Sequence, residues 1–191
     1  MPSHLPSNLR RYLEPIRLLV LDVDGVLTDG ILVYTSEGEE ARRFNVRDGL
    51  AIRLLRKAGI DVAVISGRSS RVVTLRCQEL GIEEPLILQG SRDKSAHLDQ
   101  LESRLGLVDG QVAAMGDDLP DLPMLDRVGF AACPADAAPE VAAACHLVCG
   151  AEGGRGAVRE VAELLLKAQG RWAELVRAWV QWDDEPPSGE R

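Results

Sequence analysis

The sequence predicts an α/β fold: a Rossmann-like parallel sheet flanked by helices, with a projecting β-hairpin and no cap domain. Three observations predict it. Short β-rich runs alternate with helical patterns along most of the chain. Gly59, Gly81 and Gly106 stand just past three of the helical stretches, where a helix end favours a residue that tolerates positive φ. No segment between two strands is long enough to form a cap domain.

The expected strands are Arg17–Leu21, Asp61–Ile65, Pro85–Leu88, Gln111–Met115, Gly129–Ala132 and His146–Cys149. Helical spacing falls between them at Gly49–Lys57, Ser69–Leu80, Lys94–Leu105, Pro120–Asp126, Ala138–Ala143 and Ala157–Ala168. The alternation breaks once. Gly30–Val46 reads as two strands around Ser36-Glu37-Gly38, a hairpin projecting directly after the first strand. One domain over 1–182 is expected, followed by a polar, proline-containing tail over 183–191 that is too hydrophilic to order itself.

At 191 residues and 46% apolar, the chain can bury a full core. Its formal net charge of −8 argues against nucleic acid or an anionic membrane as partner. Met1–Arg10 has no apolar stretch of the kind a secretory leader needs, and the run Leu18–Leu21 is far too short to span a bilayer. Cys77, Cys133, Cys145 and Cys149 form no CxxC pair. They read as small buried thiols in a reducing, cytoplasmic setting rather than as a zinc site.

In an open parallel sheet, ligands bind beyond the carboxyl ends of the strands. The informative polar residues fall there. Asp22 and Asp24 follow the first strand, Ser66 the second, and Asp117 and Asp118 the strand ending at Met115; Lys94 opens the helix after the third. Taken singly, each has a plain reading. Asp is common in loops, Ser66 could cap a helix, Lys94 could be solvated, and Asp117-Asp118 could charge a helix N-terminus. Taken together, they describe phosphoryl chemistry. Hydrolysis of a phosphate monoester can need up to ~10²¹-fold acceleration, which no single side chain supplies. A carboxylate such as Asp22 is ionised at neutral pH and can attack phosphorus without an activating base. An acid two residues on, Asp24, can protonate the leaving oxygen and later activate water. Oxygen ligands from Asp22, the Asp24 carbonyl and Asp117 suit Mg²⁺, while Ser66 and Lys94 would hold the remaining phosphate oxygens.

At Asp22-Val23-Asp24-Gly25-Val26-Leu27-Thr28-Asp29-Gly30 the chain resembles the haloacid dehalogenase-like phosphatases. Their four motifs match Asp22/Asp24, Ser66, Lys94 and Gly116-Asp117-Asp118-Leu119-Pro120-Asp121 in order, with Asp118 and Asp121 as supporting acids. More narrowly, Phe44–Gly49, Ile65–Arg68, Gln89-Gly90 and Gly153–Glu160 resemble the branch acting on 3-deoxy-D-manno-octulosonate 8-phosphate, over roughly Ile16 to Gly170.

The resemblance implies a capless core assembling as a homotetramer, in which hairpins and tails of neighbours close the sites. It also implies a place in lipopolysaccharide precursor synthesis and an aspartyl-phosphate intermediate. Substrate contacts are implied through Asn45, Val46, Arg47, Asp48, Gly49, Arg53, Gly67, Arg68, Arg76, Lys94 and Arg155. A sugar acid carrying phosphate and carboxylate would need such Arg forks, although Arg53 and Arg76 could equally solvate helix faces. Past Gly170 the chain carries Trp172, Trp179 and Trp182, read as a helix covering a neighbour's apolar surface. Two alternatives stand beside this reading. One is a phosphatase for a nine-carbon sialic-acid-type phosphate, whose members tend to carry an acid where this chain has Arg68. The other is a phosphoaccepting signalling receiver, which lacks an acid at the position of Asp24.

Overall fold

The computed structural model describes residues 7–180 apart from 39, 91 and 92. The expected tail over 183–191 and Trp182 lie outside the described residues. Six parallel strands form one sheet: β1 (Leu18–Leu21), β4 (Asp61–Ser66), β5 (Ile87–Gln89), β6 (Val112–Met115), β7 (Phe130–Cys133) and β8 (Leu147–Val148). Their order across the sheet is β5-β4-β1-β6-β7-β8. β1 is central, with Leu18 in register with Asp61 on one side and Val112 on the other. Strand order reverses around β1, so the ends of β1, β4 and β6 share one crevice. Two further strands, β2 (Val33–Tyr34) and β3 (Glu40–Ala41), pair antiparallel as the expected hairpin. They are only two residues each.

The period-two alternation of the strands divides the core between two faces. Leu19, Leu21, Val62, Val64, Ala113 and Met115 point to one face. There they meet α1 (Ser7–Leu13), α2 (Val46–Lys57), α3 (Arg71–Glu79) and α7 (Ala157–Ala168). Leu18, Val20, Ala63, Ile65, Val112 and Ala114 point to the other. Here α4 (Lys94–Leu105), α5 (Leu122–Leu125) and α6 (Pro139–Ala144) cover them. Strands buried on both sides explain why β1 and β6 read as unbroken apolar runs. On α7, Val158, Val161, Ala162, Leu165 and Leu166 are all buried. Each large side chain among them contributes about 1.5–3 kcal/mol, so Leu165→Asp would break this face.

The helix expected from Gly49 starts three residues earlier, because Asn45 caps it: its Oδ1 accepts from the Arg47 amide at 2.8 Å. The helix expected over Pro120–Asp126 is divided into a 3₁₀ turn, Leu119–Asp121, and the short α5. Pro120 and Pro123 sit where the first turns of these two elements begin. Gly59, Gly81 and Gly106 have the positive φ expected of them, 76°, 79° and 65°. One helix, α1, lies outside the sequence reading, and the helix read past Gly170 is α8 (Trp172–Val180). α8 packs on this chain's own α7, with Leu175 8% exposed and the Arg159 guanidinium 5.0 Å from the centre of the Trp172 ring. Trp172 therefore covers the chain's own surface, whereas Trp179 stays 45% exposed. Cys77, Cys133 and Cys149 are buried free thiols, as expected, and Cys145 is half-buried.

Candidate active site

The carboxyl end of β1 delivers Asp22 into the crevice, where it is only 6% exposed. Its amide donates to the Met115 carbonyl of β6 at 3.0 Å, which keeps the backbone in sheet register through this point. Beyond it the chain folds into a tight turn. The Val23 carbonyl accepts from the amides of Leu27 and Thr28, both at 3.0 Å. Gly25 lies in this turn at φ 96°, and a Cβ there would sit 2.1 Å from Asp117 Oδ2. Only glycine both takes that backbone conformation and leaves room for the Asp117 carboxylate.

Lys94, the first residue of α4, donates to Asp22 Oδ1 at 2.6 Å and also to Asp121 Oδ1. It is 5% exposed, and Asp121 is 2% exposed. Asp121 is held on its other oxygen by the amides of Asp117 at 2.9 Å and Asp118 at 3.3 Å. Asp118 itself caps the 3₁₀ turn, its Oδ1 accepting from the Leu119 amide at 2.8 Å. Thus the two supporting acids have distinct jobs: Asp118 shapes the loop, and Asp121 lies inside the cluster.

Carboxylate oxygens of Asp22, Asp117 and Asp121 lie within 4.8 Å of one another. Three carboxylates face one ammonium, a formal excess of two negative charges. The protonation preferences follow. Burial, then repulsion from Asp121, pushes the Asp22 carboxyl well above its ordinary range, with Lys94 opposing. Asp117 is pushed up to about 8 by burial and by Asp22, Asp121 and Asp118. Burial works against the charge on Lys94, but Asp22 and Asp121 outweigh it and raise its pKa. With more acids than cations, acids and lysine move up together. An all-oxygen donor set with this charge excess fits a hard divalent cation such as Mg²⁺. The expected metal set was Asp22, the Asp24 backbone carbonyl and Asp117, with Asp121 only a supporting acid. Among the described residues Asp121 joins Asp22 and Asp117 in the carboxylate cluster, while the Asp24 carboxylate accepts from Arg42 Nη1 at 2.5 Å.

Ser66, 2% exposed at the end of β4, accepts at Oγ from the Arg68 amide at 3.3 Å. Gly67 lies between them on the same rim. The Arg68 guanidinium reaches back to the hydroxyl of Tyr34 at 2.5 Å.

Buried nucleophile-type carboxylate, flanking acid, hydroxyl, lysine and acidic cluster thus converge from four segments. A family model of haloacid dehalogenase-like hydrolases matches residues 87–160. The chain is also 45% identical, over 161 residues, to the 3-deoxy-D-manno-octulosonate 8-phosphate phosphatase of Escherichia coli. That match covers 84% of this chain and 85% of the relative. The chain belongs to the 3-deoxy-D-manno-octulosonate 8-phosphate phosphatase family of haloacid dehalogenase-like hydrolases. Solved structures agree. The family's Moraxella catarrhalis enzyme, in complex with magnesium ion, phosphate ion and a KDO molecule, is 39% identical with a TM-score of 0.88. It covers 92% of this chain and 99% of its own. The Yersinia pestis enzyme is 41% identical with a TM-score of 0.86, covering 88% of this chain and 90% of that one.

The Asn45–Gly49 segment, expected to contact substrate, is occupied within this chain by other partners. Asp48 is 1% exposed and accepts from the amides of Gly156 at 3.2 Å and Arg159 at 2.8 Å. It caps α7 rather than facing the Asp22 cluster. Asn45 donates from Nδ2 to the Gly154 carbonyl at 3.3 Å. A Cβ on Gly49 would lie 2.4 Å from an Arg76 nitrogen, so a larger residue there would displace that guanidinium. Val46 and Arg47 are exposed on the first turn of α2. Arg53 and Arg76 serve the end of α3. Arg53 donates to the Glu79 carbonyl at 3.0 Å, and Arg76 meets the Glu79 carboxylate at 2.8 Å. Within this chain Arg53 is thus held by the end of the neighbouring α3, and Arg76 by a residue of its own helix.

The Gly153–Gly156 loop packs directly on the turn that follows Asp22. The Gly154 amide donates to the Val26 carbonyl at 2.9 Å, and a Cβ on Gly153 would fall 1.8 Å from the Gly25 carbonyl oxygen. Arg155 extends from this loop, 3.1 Å from Glu152 and largely exposed. Sequence reasoning missed Arg42 and Glu40. Their spacing of two on a strand puts both on one face, which was the available signal. It was masked because a run of charges on a projecting hairpin ordinarily reads as a solvated surface.

Proposed function

We propose that this chain is a magnesium-dependent phosphomonoesterase that converts 3-deoxy-D-manno-octulosonate 8-phosphate to the free sugar acid and phosphate. The observation that carries it is Asp22, buried 2.6 Å from Lys94 beside Asp117 and Asp121, in a chain of this family. Asp22 attacks phosphorus with one carboxylate oxygen while the bond to the sugar oxygen breaks, forming an aspartyl-phosphate. Asp24 gives its proton to the departing oxygen. It then takes one from a water that attacks the same phosphorus and frees Asp22. Lys94 neutralises Asp22 and lies where it can hold a phosphate oxygen; Ser66 offers a hydroxyl from the adjoining strand end. Magnesium held by Asp22 and Asp117, with the Asp24 carbonyl and Asp121 beside them, supplies positive charge that offsets the repulsion between carboxylate and phosphate.

Gly67 and Arg68 border this site and are the substrate contacts best supported within one chain. Ile31, Val33, Tyr34 and Val46 are all more than half exposed, a surface suited to the homotetramer that the family resemblance implies. Arg155 would then act on a neighbouring site. The free thiols suit a cytoplasmic enzyme of lipopolysaccharide precursor synthesis. Among the described residues no helix is long and apolar enough to cross a membrane.

Phosphate release across a panel of sugar phosphates, with and without Mg²⁺, tests the reading. The eight-carbon sugar-acid phosphate should exceed glucose 6-phosphate and a nine-carbon sialic-acid-type phosphate in kcat/KM by a wide margin. Equal values across the panel would leave only a generic phosphatase.

A further inference from the structure

A hairpin of two-residue strands cannot support itself, yet the side chain of Arg42, just past β3, is only 1% exposed. What it does there is visible from its partners. Nη1 donates to Asp24 Oδ1 at 2.5 Å, and Nε donates to Glu40 Oε1 at 2.8 Å. Glu40 is in turn held from the start of α3, where Ser70 Oγ donates to its Oε2 at 3.0 Å. The Ser70 amide donates to Gln89 Oε1 at 2.9 Å, and Gln89 Nε2 donates to Thr74 Oγ1 at 2.9 Å. A continuous chain of hydrogen bonds therefore runs from the end of β5 through Glu40 and Arg42 to the carboxylate of Asp24.

We propose that Arg42, braced by Glu40, is the positioning residue for Asp24 in phosphoryl transfer. The inference rests on the phosphatase reading and deepens it. Asp24 stands on a turn with its side chain 25% exposed, so by itself it would sample several rotamers. Arg42 fixes one oxygen. The other, Oδ2, accepts no hydrogen bond from the described residues and is left for the proton exchanged with the sugar oxygen or water. Holding a reacting group in one geometry removes entropy from the barrier in advance. A surface ion pair would do this poorly, because two long solvated side chains lose as much freedom as the contact gains. Burial of the Arg42 side chain and its brace to the sheet make the pair rigid. Arg42 also has capacity beyond this contact. Its Nη2 is buried and makes no hydrogen bond of good geometry with the described residues, although Glu40 Oε1 lies 2.7 Å away.

The test compares leaving groups, since protonation by Asp24 matters for a sugar alkoxide and little for p-nitrophenolate. Single-turnover release from the eight-carbon sugar-acid phosphate and from p-nitrophenyl phosphate would be measured for Arg42→Met, Arg42→Lys and Glu40→Gln. Arg42→Met should slow sugar release about 10²-fold, leave KM within about threefold, and slow p-nitrophenolate release less than about fivefold. Arg42→Lys should recover most of the loss, and Glu40→Gln should lose about tenfold with the same selectivity. If Arg42→Met does not fold, the other two carry the comparison. A rise in KM alone would make Arg42 a substrate ligand and overturn the proposal. So would equal losses on both phosphates, the mark of a mere prop, or unchanged rates in all three variants. Failure of the native enzyme on the sugar-acid phosphate would sink the substrate reading instead; the leaving-group comparison would then run on another alkyl phosphate.

Discussion

Two aspartates on the same side of the fold are both buried and both embedded in family motifs, and they do opposite work. Asp48, 1% exposed, has two backbone amides as partners, those of Gly156 and Arg159 at the start of α7. Asp22, 6% exposed, faces an ammonium and two further carboxylates. The first is a helix cap: neutral donors satisfy one carboxylate and the helix dipole favours its charge. The second is a concentration of like charge that no protein would keep for stability alone. Burial of an acid is therefore uninformative until its partners are known, and repulsion among neighbours marks the site.

The sharpest way to break this contrast is Asp22→Asn. Phosphate release should fall at least about 10⁴-fold, because an amide cannot form the acyl-phosphate. Its metal-free melting temperature should equal or exceed that of the native protein, since one member of a repelling cluster is gone. Substantial Mg²⁺-dependent turnover, or a marked fall in melting temperature, would erase the distinction.

Metal removal should have nearly as large an effect on rate. Excess chelator should abolish activity and Mg²⁺ restore it, because the donor set is all oxygen with two surplus negative charges. Undiminished turnover in chelator would refute the assignment of this cluster to a cation.

Asp48→Ala should show the reverse profile. Removing the cap leaves two amides of α7 unsatisfied, at a cost of about 1–3 kcal/mol. That corresponds to a fall of roughly 2–12 °C in melting temperature for a chain of this size. The rate per folded molecule should stay within about threefold, read by kinetics well below the transition. A stable protein that has lost turnover would put Asp48 on the substrate after all.

The smallest expected effect is a pH slope. Asp117 is pushed up to about 8 in the fold from 3.8, so the native state holds its proton more tightly than the unfolded chain. Its contribution to stability is fully present below pH 3.8 and is lost as pH rises through about 8. Metal-free protein should therefore melt at progressively lower temperature from pH 5 to pH 8, and Asp117→Asn should flatten that slope. Saturating Mg²⁺ should flatten it too, since the cation stabilises the deprotonated form. Identical slopes with and without Asp117 would mean that the acids are not electrostatically linked.

The sequence was most informative where topology does the positioning. Asp22, Ser66, Asp117 and Lys94 each stand at a strand end or at the helix start after one. A parallel sheet brings such points together whatever the loops contain. Asn45, Asp48, Arg53 and Arg76 were less legible. They lie on helix starts and helix faces, and their partners come from segments distant in sequence. Asp48 meets Gly156, 108 residues on, and Asn45 meets Gly154, 109 residues on. Local pattern shows that such residues are polar and spaced for a face; it does not show what faces them.

By itself the sequence determined the alternation of strand and helix, the hairpin, the family motifs and the convergence of four of the site's acids and bases on one rim. Periodicity and strand-end position are local properties, and local chemistry suffices to set them. Only the tertiary structure decided that Asp121 lies in the acidic cluster, that Asp48 caps α7, and that Arg42 takes Asp24. These are choices among competing partners for a charged group. They are settled by which elements pack together and by how much water packing removes, neither of which is written at any single position in the chain.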